Sequence, residues 1–179
     1  MELVSYQIEA HDDITCVSDS WTVFAISNDA PNLTEHVVGH SLWEFVSDGT
    51  TRQVYRDLLA RVRGGRTVTF SYRCDSPSLR RYMRMTMTPR AHNGVGFDSL
   101  TLRTESRTPP MFMVPAVEEC DALLRVCSWC KRVAVADDWL EVEVAVERLG
   151  LFSNGSPVGI THGMCPACFA RIMGEGDAA

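Results

Sequence analysis

Two Cys-x-x-Cys pairs, Cys127-Ser128-Trp129-Cys130 and Cys165-Pro166-Ala167-Cys168, constrain this chain more than any other feature. Two residues between cysteines let both sulfurs reach one metal ion while the backbone turns tightly. Two such pairs supply the four thiolates that structural zinc takes in a tetrahedron. The expected metal is therefore zinc, and the expected ligands are Cys127, Cys130, Cys165 and Cys168. The 34 residues between the pairs exceed the roughly 15–20 of the simplest zinc-ribbon spacing, so the interval holds an element of its own. Val142, Val146 and Leu149 at helical spacing, after Asp137, Asp138 and Trp139 and before a stop at Gly150, predict a helix there. The alternation of Leu140, Val142, Val144 and Val146 also fits a strand, but Glu141, Glu143 and Glu147 favour the helix.

Pro166 suits the first position of a second helix through Ala167, Phe169, Ile172 and Met173. That places Cys165 at a helix N-terminus, where the dipole favours a thiolate. Lys131, Arg132 and Arg171 lie near the pairs and are expected to offset their negative charge. His162 has two readings. It replaces one thiolate as a ligand, or it is a turn residue beside Gly163 that hydrogen-bonds the site. Two other chemistries fit the same cysteines: a dithiol redox switch and a four-thiolate iron site. A c-type haem does not fit, because Lys131 rather than His follows Cys130.

The chain has seven cysteines, an odd number, and its start, Met1-Glu2-Leu3-Val4-Ser5-Tyr6, has no basic segment leading into an apolar one. Both features predict a cytoplasmic protein with free thiols. Singly placed Cys16 and Cys74 read as small core residues. No run approaches the ~18 consecutive apolar residues of a membrane span. A net charge of −6 argues against nucleic acid and anionic lipid as partners. The only candidate basic patch is Arg80, Arg81, Arg84 and Arg90. Its core run reads either as an anion or partner site, or as an exposed strand face whose charges discourage edge pairing.

Pro109, Pro110 and Pro115 interrupt both helix and strand. They divide the chain into an N-terminal domain, residues 1–108, a linker, 109–122, and a cysteine module, 123–179. In the first part Ile14–Ser18 and Thr22–Ile26 read as strands, and Leu42, Phe45 and Val46 as one helical turn. Val54, Leu58, Leu59 and Val62 share one face of a helix over 50–63 that Gly64-Gly65 stops. Val68, Phe70, Tyr72 and Cys74 then alternate as a strand, as do Met83, Met85 and Met87. Val95, Phe97, Leu100 and Leu102 form a last strand, with a bulge expected between Phe97 and Leu100. This order predicts an α+β fold with an antiparallel sheet and helices on one face.

That order over residues 5–105, with Ile14–Ser18, Trp21–Asn28 and Val38-Gly39-His40-Ser41-Leu42-Trp43-Glu44-Phe45-Val46, resembles the PAS domain family. The resemblance implies a PAS-like five-stranded antiparallel sheet that holds a small ligand against its helical face and signals by association, including homodimer formation. The photosensor motif with its reactive cysteine is absent, so flavin is not expected. A haem-binding sensor would draw a ligand from His36 or His40, with Met83, Met85 or Met87 opposite; otherwise His40 is a surface turn residue and the methionines fill the core. Residues 126–173, with Cys-Ser-Trp-Cys-Lys-Arg and Thr-His-Gly-Met-Cys-Pro-Ala-Cys, are similar to a C-terminal segment of bacterial signalling proteins. The chain carries no nucleophile elbow, phosphate loop or His-Glu-x-x-His string. The expected class is a sensory or interaction protein whose partners are other signalling proteins, and not an enzyme.

Overall fold

The computed structural model describes residues 2–28, 30–33, 36–46, 48–76, 78–108, 122–151 and 158–175. The proline break lies outside them, because residues 109–121, with Cys120, are not among the described residues.

Five strands form one antiparallel sheet: β1 (Leu3–Ile8), β2 (Ile14–Val17), β3 (Val68–Arg73), β4 (Leu79–Pro89) and β5 (Val95–Ser106), in the order β2-β1-β5-β4-β3. Two helices accompany them, α1 (Ser20–Ser27) and α2 (Gly49–Arg63). The alternation read from sequence puts Val68, Phe70, Met85, Met87, Val95 and Phe97 on the inner face. There they meet Val54, Leu58, Leu59 and Val62 of α2 in one buried cluster. Asp48 starts α2 by accepting hydrogen bonds from the Thr50 and Thr51 amides at 3.2 and 2.9 Å and from the Thr51 hydroxyl.

Several sequence expectations are corrected. Trp21–Asn28 is not a strand: it lies in α1 and its C-cap. That helix exposes Val23 and Ile26 while burying Ala25, so its apolar residues run around the cylinder and show no 3.6 period. The missing fifth strand is β1, which pairs with β5 from Leu3↔Leu100 to Ile8↔Val95. No bulge separates Phe97 from Leu100. Val95, Phe97 and Ser99 continue the inward face, and the register shifts opposite Tyr82/Met83 instead. β4 is not an edge strand, so its arginines do not guard an edge. Arg81 is buried and donates to Asn28 Oδ1 at 2.6 Å and the Ser27 carbonyl at 3.0 Å, which ties down the end of α1. Cys16 is exposed on edge strand β2, and Cys74 is half-buried. His40 is a surface residue whose ring bonds Glu44 at 3.1 Å.

A second sheet carries the cysteines: β6 (Ala122–Cys127), β7 (Val133–Val135), β8 (Asp138–Leu140) and β9 (Val158–Gly163), in the order β8-β7-β6-β9. β6 and β9 are parallel, and the other two pairs are antiparallel. The helix read in the interval is present as α3 (Val142–Arg148), but Trp139 belongs to β8 and the helix begins only after Glu141. The closing helix, α4 (Pro166–Glu175), has Pro166 at its first position. Among the described residues no helix is long and apolar enough to cross a membrane.

Burial raises the Asp48 carboxyl, but the hydrogen bonds from Thr51 and Thr50 outweigh it and leave the group below its ordinary value. A depressed carboxyl contributes stability above its unfolded value of about 3.9 and loses it as pH falls through the lower folded value. Asp48→Ala should therefore lower the melting temperature by about 2–4 °C near neutrality. The deficit should narrow when thermal unfolding is followed below about pH 4. An unchanged melting temperature at pH 7 would show that the cap carries no weight.

Candidate metal centre

Parallel pairing brings the two cysteine pairs together. β6 ends at Cys127 and β9 ends at Gly163, directly opposite one another, and the Ser128 amide extends the ladder to the Gly163 carbonyl at 2.7 Å. Both chains thus arrive side by side at the same end of the sheet. Each then turns tightly. In the first turn the Lys131 amide donates to the Cys127 carbonyl at 3.0 Å and the Cys127 amide to the Arg132 carbonyl at 2.8 Å. Lys131 accepts a left-handed conformation, φ 61°, to close it. In the second turn α4 begins at once, with the Phe169 amide donating to the Cys165 carbonyl at 3.0 Å.

The result is a cluster in which the sulfurs of Cys127, Cys130, Cys165 and Cys168 all lie within 4.8 Å of one another. Cys130 Sγ and Cys165 Sγ, from different pairs, are 3.8 Å apart. A tetrahedron of metal–sulfur bonds of about 2.3 Å has edges of about 3.8 Å. The cluster therefore fits a four-coordinate ion. Cys127, Cys165 and Cys168 are buried and Cys130 is half-buried, so the set is nearly closed to solvent.

Backbone amides also point at the sulfurs. The Cys165 amide donates to Cys127 Sγ at 3.4 Å, and the Cys168 amide to Cys165 Sγ at 3.3 Å. Such bonds favour thiolates over thiols. Without a metal, hydrogen bonds from the Cys130 and Cys168 thiols pull Cys127 far below the ordinary thiol range. Cys168 is driven far above it, because ionisation would break the bonds it gives Cys127 and Cys130. Four thiolates at this spacing repel one another, and only a cation allows all four to ionise.

The basic residues divide the remaining work. Arg171 Nη2 lies 4.0 Å from Cys168 Sγ, and Arg132 feels the charge of Cys130 and Cys165. Lys131 donates to the Ser128 carbonyl at 2.8 Å. His162 is not in the sulfur cluster. It faces Val126 across the β6–β9 ladder and lines a cleft beside Asp48.

The residue that sequence reasoning missed is Trp129. It sits inside the first chelating turn, and its ring is buried between Tyr55 of α2, at 5.7 Å between centroids, and Phe70 of β3, at 5.5 Å. Cys127, Trp129, Cys165, Cys168 and Ile172 belong to the same buried cluster as Val54, Leu58 and Phe70. The cysteine module also covers edge strand β3. The Arg73 amide donates to the Trp129 carbonyl at 2.7 Å, and Arg171 to the Ser71 carbonyl at 3.3 Å. A tryptophan between two cysteines carries no sequence signal for so distant a partner.

Beside the centre, a charge network joins the sheets. Arg73 pairs with Asp75 at 2.5 Å and with Glu141 at 2.8 Å, and Arg80 pairs with Glu143 at 2.5 Å. Burial pushes the Glu141 carboxyl up, but Arg73 and Arg132 hold it below its ordinary range. No family model matches the sequence, and no curated protein matches it significantly.

The Asp75 side chain is 1% exposed and that of Glu141 30%, so the two partners of Arg73 should respond differently to loss. Arg73→Met leaves a buried carboxylate without its closest cation and should destabilise the protein by about 3–5 kcal/mol in urea unfolding. Glu141→Gln should cost about 1 kcal/mol or less. Equal costs would contradict the assignment of Arg73 to Asp75 first.

Proposed function

We propose that the four cysteines hold one zinc ion as a structural centre, and that the chain is a cytoplasmic sensory or interaction protein of a PAS-like signalling kind. The carrying observation is the convergence of four sulfurs from two tight turns, with a cross-pair distance of 3.8 Å. Zinc has no geometric preference of its own from d-electrons and suits a closed set of four thiolates. Such a set leaves no open position for substrate or water, which favours a structural role over catalysis. The five-stranded antiparallel sheet with α2 against its inner face supports the PAS-like reading.

The link to signalling is physical. The metal turn covers the edge of β3 and fills the space between α2 and β3, so the metal's presence controls which surface a partner protein meets. A second copy of the chain is one such partner. A thiol switch is the second reading, favoured by the half-buried Cys130 and its approach to Cys165. An oxidant that removed the metal would leave these sulfurs free to join.

Metal analysis of protein purified under reducing conditions should give one zinc ion per chain, and cobalt substituted for it should show tetrahedral thiolate absorption. Cys127→Ser should lose most of the metal. Metal-free protein with two native disulfides would replace the zinc reading with the redox switch.

A further inference from the structure

The four sulfurs are not equally accessible. Cys127, Cys165 and Cys168 are buried, and Cys130 is half-buried. A cleft of about 550 Å³ between β3 and α4 reaches the cluster, and Cys130, Cys165 and Cys168 line it while Cys127 does not. We propose that Cys130 is the oxidation site of the cluster, that its oxidant is a hydroperoxide, and that Cys165 then closes a disulfide across the two pairs and releases the metal. This rests on the zinc reading above and adds how the ion is lost.

Three observations carry it. First, Cys130 is the exposed member of the set and lies on the cleft, so a small reagent meets it first. Oxidation of cysteine follows access as well as thiolate character. Second, Cys130 Sγ lies 3.8 Å from Cys165 Sγ on the opposite turn. A disulfide bond is about 2.05 Å long, so a gap of about 1.8 Å remains to close. Third, Arg132 feels the charge of Cys130 and Cys165, and Arg171 Nη2 lies 4.0 Å from Cys168 Sγ. Both line the cleft together with Glu141. A hydroperoxide is neutral, so this mixed lining does not repel it, and the guanidinium groups stabilise the hydroxide that leaves.

The Cys130 thiolate attacks one oxygen of the peroxide. A sulfur–oxygen bond forms as the oxygen–oxygen bond breaks, the sulfur becomes a sulfenic acid, and hydroxide leaves. The Cys165 thiolate then attacks that sulfur, the sulfur–oxygen bond breaks, a second hydroxide leaves and the disulfide is complete. Peroxide is reduced by two electrons, and the two thiolates supply them. Cys127 and Cys168 remain, too few for a closed set of four, and zinc leaves with water in its coordination shell. A dithiol reductant restores the four thiolates by exchange.

The test uses the full chain, purified under reducing conditions and with its zinc content measured first. Hydrogen peroxide is added, released zinc is followed with a weak colorimetric chelator, and the cysteines are mapped by mass spectrometry after alkylation. Each zinc-loaded chain should release its ion and carry a new Cys130–Cys165 disulfide, and dithiothreitol with added zinc should reverse both. Dimedone present during oxidation should label Cys130 but not Cys127, Cys165 or Cys168, and should block the disulfide. Zinc-loaded protein that keeps its metal in peroxide overturns the proposal and leaves the zinc reading intact. So does any other pairing among the four cysteines, or dimedone on another of them. Protein that purifies without zinc overturns the zinc reading, and the release step with it.

Discussion

Parallel hydrogen bonding between β6 and β9 brings two distant cysteine pairs to one point, and most of the C-terminal architecture follows from it. Cys127 and Cys165 are separated by 37 intervening residues, yet the ladder delivers them to the same end of a sheet. A parallel pair needs a long connection. Here β7, β8 and α3 supply it, burying Val133, Val135, Val142 and Ala145 against Leu124 and Val126 as they cross. This second cluster is small, and a small core gains stability from any ion that ties its strands together.

The same convergence places Trp129. A tight turn between two ligands has no freedom to move its side chains far, so anchoring the sulfurs anchors the indole between Tyr55 and Phe70. The contact joins the cysteine cluster to the inner face of the first sheet, where α2 already packs on Phe70, Met85 and Met87. Arg73 reinforces the joint twice. Its amide bonds the Trp129 carbonyl, and its guanidinium spans Asp75 and Glu141. β3 would otherwise present an open edge, and the turn with Arg171 covers it. Cysteine cluster, edge and core are thus one mechanical unit.

The parts legible in the sequence were those with local, periodic signals. The amphipathic face of α2, the alternation of β3 and β4 and the two Cys-x-x-Cys pairs each declare themselves within a few residues. α1 did not, because Trp21, Val23, Phe24 and Ile26 are apolar on every side and rich in residues common in strands. β1 was missed although Val4, Tyr6 and Ile8 alternate with Ser5 and Gln7; the alternation is short, and the strand pairs with nearby β2 as well as with distant β5. The strand that precedes α3 was not read, because Ala136 at φ 52° makes a hairpin turn between β7 and β8 that has no glycine to signal it. The four ligand positions were readable as a set. The role of Trp129 and the Arg73–Glu141 pair were not, since both depend on contacts between residues 59 or more apart.

The central claim is that the metal turn and the first sheet are coupled through Trp129. Amide hydrogen exchange, followed by mass spectrometry with and without a zinc chelator, tests it most directly. The account predicts that removing the metal accelerates exchange in β6 and β9 and, together with them, in β3 and the segment of α2 around Tyr55. Faster exchange confined to residues 122–175, with β3 and α2 unchanged, would contradict it.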